Sequence, residues 1–216
     1  MPFKRKNNFN QDYFKVIDTE DKAYFLGLLY ADGNVYMKRN RVQITLVNID
    51  SYILDKFSEV TESTAKLYND RDKYSKVILD SKILCEDIIK LGCFPNKSLT
   101  LKFPTEEQVP AHLLHHFIRG YFDGDGHVSL HKKLVNPYYY INITSSEEFI
   151  IKLKDVLKEQ GIVTGTSYKR YKDKETSAHT VFVMNKSAKP YSSYIYKDAT
   201  IYLNRKHKLF YEYTML

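Results

Sequence analysis

Two aspartates, each closing one of two matching nine-residue segments, are the residues of this chain best placed to do chemistry. The segments are Phe25-Leu26-Gly27-Leu28-Leu29-Tyr30-Ala31-Asp32-Gly33 and Ile118-Arg119-Gly120-Tyr121-Phe122-Asp123-Gly124-Asp125-Gly126. On a helix, positions i and i+4 share a face, so Gly27 with Ala31, and Gly120 with Gly124, each leave a groove free of bulky side chains. Two such helices can pack with their backbones close, which brings Asp32 and Asp125 to one edge of the pair. The glycine after each aspartate is expected to end its helix in the left-handed conformation. Two carboxylates at the negative ends of two helices repel each other and call for a positive partner. A hard divalent cation, which takes oxygen ligands and can activate water for phosphodiester hydrolysis, suits that setting.

The elements that must hold these residues can be read from the periodicity that follows each segment. Asn34, Tyr36 and Lys38 alternate with Val35 and Met37, and the return strand sets Arg41, Gln43 and Thr45 against Val42, Ile44 and Leu46. A helix is expected from about Asp50, with Tyr52, Ile53, Phe57 and Val60 as its apolar stripe. Strands are expected near Ala65–Asn69 and Tyr74–Leu79, then a helix Lys82–Leu91 stopped by Gly92. The second half repeats the order. His127, Ser129 and His131 alternate with Val128 and Leu130, Asn136-Pro137 breaks the hairpin, and Tyr138, Tyr140, Asn142 and Thr144 alternate with Tyr139, Ile141 and Ile143. Ser145 or Ser146 can cap a helix running to Gln160, Gly161 ends it, Ile162–Arg170 and Ala178–Met184 read as a last hairpin, and Tyr194–Tyr213 reads as a terminal helix. The fold class is therefore α+β, two αββαββα repeats whose antiparallel sheets pack on helices. The first spans 1–95, a connection 96–110, and the second 111–216.

In both halves one strand face is aliphatic and must pack on helices, while the other is polar. Such a face fits a β-ribbon in the DNA major groove, where Gln and Asn can pair with adenine, Arg and Lys with guanine, and Thr or Tyr can meet a thymine methyl or a phosphate. Asn34, Tyr36, Lys38, Arg41, Gln43 and Thr45 would face one half-site, and His127, Ser129, His131, Tyr138, Tyr140, Asn142 and Thr144 the other. A solvated sheet face is the plainer reading of the same pattern. The charge supports the nucleic acid: 33 Lys and Arg against 26 Asp and Glu give +7, which favours a polyanionic partner.

Other classes find less support. With 43% hydrophobic residues the chain folds as a globule, and Cys85 and Cys93 give neither a disulfide framework nor a zinc pattern. His112, His115 and His116 lack a zincin-type Glu and read as a helix-surface cluster. No stretch reaches membrane-spanning length and the N-terminus has no apolar signal region, so no membrane partner is expected and the protein should work unsecreted, in a cytoplasm of bacterial or phage-infected cells or in an organellar matrix.

The two segments resemble the Leu-Ala-Gly-Leu-Ile-Asp-Ala-Asp-Gly signature of the LAGLIDADG homing endonucleases, degenerate but with the Gly, small and Asp-Gly positions kept in both copies. The resemblance implies a monomer with pseudo-twofold symmetry, two signature helices at its centre and two saddle-shaped sheets astride a long, asymmetric double-stranded DNA target. It makes Asp32 and Asp125 catalytic metal-binding carboxylates, with the main-chain carbonyls of Ala31 and Gly124 as helpers and Mg²⁺, or Mn²⁺ or Ca²⁺ in its place, as the cofactor. Lys97 is the first candidate for a basic residue near the centre, and Lys197 the second. Asp123, whose counterpart in the first segment is Tyr30, reads as structural. Several family members carry a Gln after the Thr that ends the second strand; here Leu46 and Ser145 stand there. The resemblance also includes intron-encoded RNA maturases and DNA-binding regulators that do not cut, so intron RNA is an alternative partner. An intein segment is a further reading, to which Met1 and Leu216 give no support.

Overall fold

A computed structural model gives the structure of residues 7–70, 73–131, 138–170 and 177–211. The first motif forms the end of helix α1 (Glu20–Asp32) and the second the end of α4 (Leu114–Asp125). Ala23–Tyr30 and His115–Asp123 are buried throughout, and helices without a solvent face must lie at the centre of a fold. They pack on each other in parallel and in register. A Cβ on Gly27 would strike the Phe117 carbonyl oxygen and lie 2.8 Å from the Tyr121 nitrogen, and one on Gly120 would strike the Tyr24 oxygen and lie 3.0 Å from the Leu28 nitrogen. The atoms in the way are backbone, which cannot swing aside as a side chain can.

Gly33 (φ −80°, ψ 145°) and Gly126 (φ −81°, ψ 153°) are extended, not left-handed as expected. Each helix runs straight into a strand, β1 (Gly33–Tyr36) or β5 (Gly126–His131), without a reversing cap. Glycine is needed for room: a Cβ would meet the Leu29 or the Phe122 carbonyl oxygen at 2.5 Å, in the last turn of its own helix.

The sheets are antiparallel and alike. One has the order β1-β2-β4-β3, with β2 (Arg41–Val47), β3 (Tyr68–Asp70) and β4 (Tyr74–Asp80); the other is β5-β6-β8-β7, with β6 (Tyr138–Ser145), β7 (Thr164–Arg170) and β8 (Ser177–Val183). Even the register repeats, since Gly33 lies opposite Ile44 and Gly126 opposite Ile143. Val35, Val42, Ile44, Leu46, Val77 and Leu79 form one buried face, and Val128, Tyr139, Ile141, Ile143, Val181 and Val183 the other. Helices α2 (Ser51–Val60) and α3 (Lys82–Lys90) cover the first sheet, and α5 (Glu147–Glu159) and α6 (Ala188–Ile195) belong to the second. Ser146 caps α5 by accepting from the Phe149 amide at 3.2 Å, and Gly92 (φ 95°) and Gly161 (φ 71°) end α3 and α5 in the left-handed region. The fold is the α+β, twice-repeated αββαββα architecture that the sequence predicts.

Two elements depart from expectation. The strand expected near Ala65–Asn69 begins only at Tyr68. The expected terminal helix Tyr194–Tyr213 is two helices, α6 and α7 (Asn204–Tyr211), joined by a turn and an irregular stretch. Asp198 turns the chain at φ 52°, and Arg119 donates to both Ile195 O and Ile201 O at 2.8 Å, pinning the stretch at both ends. Helix α6 hides in the sequence because Pro190 falls in its first turn, where a missing N–H is no loss. The Asn136-Pro137 break and residues 212–213 lie outside the described residues. No helix among the described residues is long and apolar enough to cross a membrane.

Candidate active site

The parallel packing sets the C-terminal ends of α1 and α4 side by side. A Cβ on Gly124 would strike the Ala31 Cβ and lie 3.1 Å from Asp32 Oδ2, so Ala31 and Gly124 fill the crossing between the two carboxylates. The Asp32 carboxyl is pushed up to about 6, first by burial and then by repulsion from Asp125, while Lys206, Lys97 and Arg205 pull it down. Asp125 is also raised by burial, against the opposing pull of Lys97, Tyr121 and Lys206. Neither helix has a basic residue in its last turn, so the positive charge comes from elsewhere in the chain.

Two buried lysines supply it. Lys97 Nζ donates to the Gly33 carbonyl at 2.5 Å, just past α1. Lys206, 4% exposed, donates to the carbonyls of Phe122 (2.6 Å), Asp123 (2.8 Å) and Gly126 (2.5 Å), at the end of α4. Both donate to carbonyls in or just past the last turn of a helix and put a cation against its negative pole. Burial brings Lys206 down to about 8, with Asp123, Asp32 and Asp125 opposing. Lys197, the second sequence candidate, is elsewhere: it is exposed and its backbone hydrogen-bonds His115, ten residues before Asp125, about 15 Å along α4. Lys206 is the lysine that the structure sets at the end of α4. If this centre hydrolyses a phosphodiester, Lys206→Met should slow single-turnover cleavage roughly a hundredfold and Lys197→Met less than about twofold; equal effects would put the charge in the wrong place.

Residues around the centre differ between halves. The Tyr121 hydroxyl lies 2.8 Å from Ser145 Oγ, and Tyr121 opposes the rise that burial imposes on the Asp125 carboxyl. Their counterparts in the first half are Leu28 and Leu46, both buried and apolar. The sixth motif position ties down the segment that carries each lysine: Tyr30 donates to Leu91 O at 2.5 Å, and Asp123 Oδ2 accepts from the Leu203 amide at 2.8 Å and from Tyr24 at 2.9 Å. At the far end of the helices, Arg119, fully buried, pairs with Glu20 at 2.6 Å and with His116 Nδ1 at 2.8 Å. His115 and His116 are thus buried against each other, not on a helix surface, and burial lowers both.

The sheets carry most of the expected groove residues on one face each. Asn34, Tyr36, Arg41, Gln43 and Thr45 share a face with Lys76 and Ile78, and His127, Ser129, His131, Tyr138, Tyr140, Asn142 and Thr144 with Thr180 and Phe182. Lys38 leaves the row, because β1 ends at Tyr36 and Lys38 lies in a 3-10 turn. Arg41 is engaged by Asp80 across the strands at 2.7 and 3.0 Å. Ile78 and Phe182, missed in the sequence, occupy matching places opposite Gln43 and Asn142. In the second sheet His131 stacks on Tyr138 with centroids 4.7 Å apart, and Tyr140 adjoins His127, His131 and Phe182.

No group of three or more His, Cys, Asp or Glu among the described residues could hold a metal on its own. Two carboxylates beside main-chain carbonyls instead offer the oxygen donors that would suit a hard cation. Such an ion needs Asp32 ionised. Because folding raises this group from 3.8 to about 6, its protonated form adds stability below about pH 4 that is lost as pH rises through about 6. In EDTA, the thermal midpoint of Asp32→Asn should therefore gain on that of the parent between pH 4 and pH 7, and Ca²⁺ should narrow the gap at pH 7. A gap that is constant with pH would contradict the raised carboxyl.

Comparison with known proteins agrees with this geometry. Residues 113–196 match the sequence model of the LAGLIDADG-like domain. The LAGLIDADG homing endonuclease I-GzeII, solved with its DNA target, superposes with a TM-score of 0.60 at 12% identity over 93% of this chain and 89% of that one. I-LtrWI bound to target DNA gives 0.57 at 12% identity, covering 95% and 90%. I-SmaMI, bound to uncleaved DNA with calcium ions, gives 0.52 at 10% identity, covering 89% and 87%. The chain thus has the LAGLIDADG homing endonuclease fold, and its second half matches the family in sequence. In sequence it is also similar to the replication factor C small subunit of Methanocaldococcus jannaschii, 28% identical over 78% of this chain and 9% of that protein. A second similar sequence is DNA-directed RNA polymerase subunit Rpo1C of the same organism, 26% identical over 67% of this chain and 15% of that protein. The chain spans only about a tenth of the length of these curated relatives.

Proposed function

We propose that this chain is a site-specific DNA endonuclease that hydrolyses one phosphodiester in each strand of a long, asymmetric duplex. The observation that carries the reading is the centre itself: two carboxylates and two buried lysines at paired helix ends, beside two polar sheet faces. A pure binding protein has no need to keep two mutually repelling carboxylates together. Asp32 and Asp125, with the carbonyls of Ala31 and Gly124, would hold the divalent cation, which when bound supplies Lewis-acid stabilisation of phosphate charge and a more acidic water.

The chain's own residues divide the rest of the work. Lys206 has three N–H donors and three carbonyl partners, so it serves as a fixed charge that draws phosphate to the centre and steadies the carboxylates. Lys97 makes one such bond among the described residues, which lets it turn further donors to a phosphate oxygen. The sheet faces orient the duplex, the first through amide, hydroxyl and charged groups and the second through an imidazole and phenol cluster, so the half-sites should differ in sequence. One chain supplies both carboxylates, so a monomer suffices. The testing experiment is selection of cleaved duplexes from a randomised pool with Mg²⁺ present. The reading expects one asymmetric site cut on both strands; a pool that is bound and never cut would favour a binding protein on the same fold.

A further inference from the structure

The two lysine-bearing segments are anchored crosswise. The stretch that follows Lys97 belongs to the connection, yet it is held by the start of α5 in the second half: Ser146 Oγ donates to Leu101 O, and Lys102 pairs with Glu148 at 3.2 Å. The stretch leading to Lys206 belongs to the second half, yet it is held by the start of α2 in the first. Tyr52 donates to Tyr202 O at 3.1 Å and accepts from the Asn204 amide at 2.6 Å. Next to it Arg205 Nε donates to Asp50 Oδ2 at 2.9 Å and Oδ1 at 3.3 Å, and Asp50 is 2% exposed. Asp50 is a buried acid at the N-terminal end of a helix whose charge is answered from the other half of the molecule, one residue from the lysine.

We propose that Asp50 is a positioning residue, which through Arg205 fixes the start of α7 and so sets Lys206 against the end of α4. The role rests on the endonuclease reading above. It makes each half's catalytic charge depend on the opposite half, so the active centre is built only when both halves are docked. Three carbonyls converge on Lys206 Nζ, and a small shift of α7 would break more than one of these bonds at once.

Asp50→Asn tests this with little risk to folding, because Asn serves as well as Asp at a helix start. Rates are read on each strand, in single turnover with Mg²⁺, on a duplex selected for binding from a randomised pool in Ca²⁺. Asp50→Asn should slow cleavage about tenfold in the parent and in Lys97→Met, and add no slowing in Lys206→Met, with duplex affinity in Ca²⁺ held within about twofold. Arg205→Gln should reproduce the loss, and the two changes together should do no more than either alone. Amide exchange should quicken over 200–206 and stay unchanged over 93–103. Parent-like rates and exchange in Asp50→Asn, or full additivity with Lys206→Met, would overturn the role while leaving the endonuclease reading intact. A parent that never cuts ends the endonuclease reading, and unchanged exchange would then end the anchor as well.

Discussion

Replacing either aspartate by asparagine is expected to abolish double-strand cleavage, by roughly a thousandfold or more, and to leave the protein folded and bound to its duplex. Asn keeps the shape and loses the charge. It removes a proposed cation ligand, and no group of three or more His, Cys, Asp or Glu among the described residues is there to take over. Duplex affinity should change by less than a few fold, since the proposed contacts lie mostly along the sheets. The folded protein should be no less stable, because both carboxyls are held above their ordinary range, Asp32 at about 6. Retained cutting in both variants would show that the carboxylates do not carry the reaction. Lost cutting together with lost folding would show that they are structural.

The second large effect concerns the helix pair. Gly120→Ala should lower stability by about 3 kcal/mol, near the upper end for overpacking, which for a chain of this size is roughly 10 °C in thermal midpoint. The added methyl would strike the Tyr24 oxygen and crowd the Leu28 nitrogen, both part of the facing helix backbone. Relief requires the helices to separate, which also pulls the two carboxylates apart, so activity should fall further than the midpoint alone implies. Gly165→Ala is the control, since its nearest neighbour would be Met184 Sδ at 3.9 Å. Similar midpoints for the two variants, measured by calorimetry, would contradict the close packing.

What could be read from the sequence was what is written locally. The small-residue spacing and the Asp-Gly ends sit within nine residues, and the strands declare their buried faces by alternation. Lys206 could not be read that way. It lies among basic residues with no motif, and its role comes from carbonyls about 80 positions earlier in the chain. Lys197, the second candidate after Lys97, stands out instead because sequence does not show that Asp198 turns the chain between α6 and α7. Ile78 and Phe182 escaped because apolar residues on a polar face look like errors of parity until the register is known. Gly33 and Gly126 were recognised as necessary for the wrong reason: crowding by the last helical turn, not a left-handed backbone, demands them.

Cleavage of a selected duplex, labelled separately on each strand, by the parent protein in Mg²⁺ and in EDTA separates a nuclease from a binding protein on this fold. One cut per strand is expected in Mg²⁺, each leaving a 3′-hydroxyl, with none in EDTA and none in Asp32→Asn or Asp125→Asn. A duplex that the parent binds tightly and leaves whole in Mg²⁺ and Mn²⁺ alike would contradict the endonuclease reading.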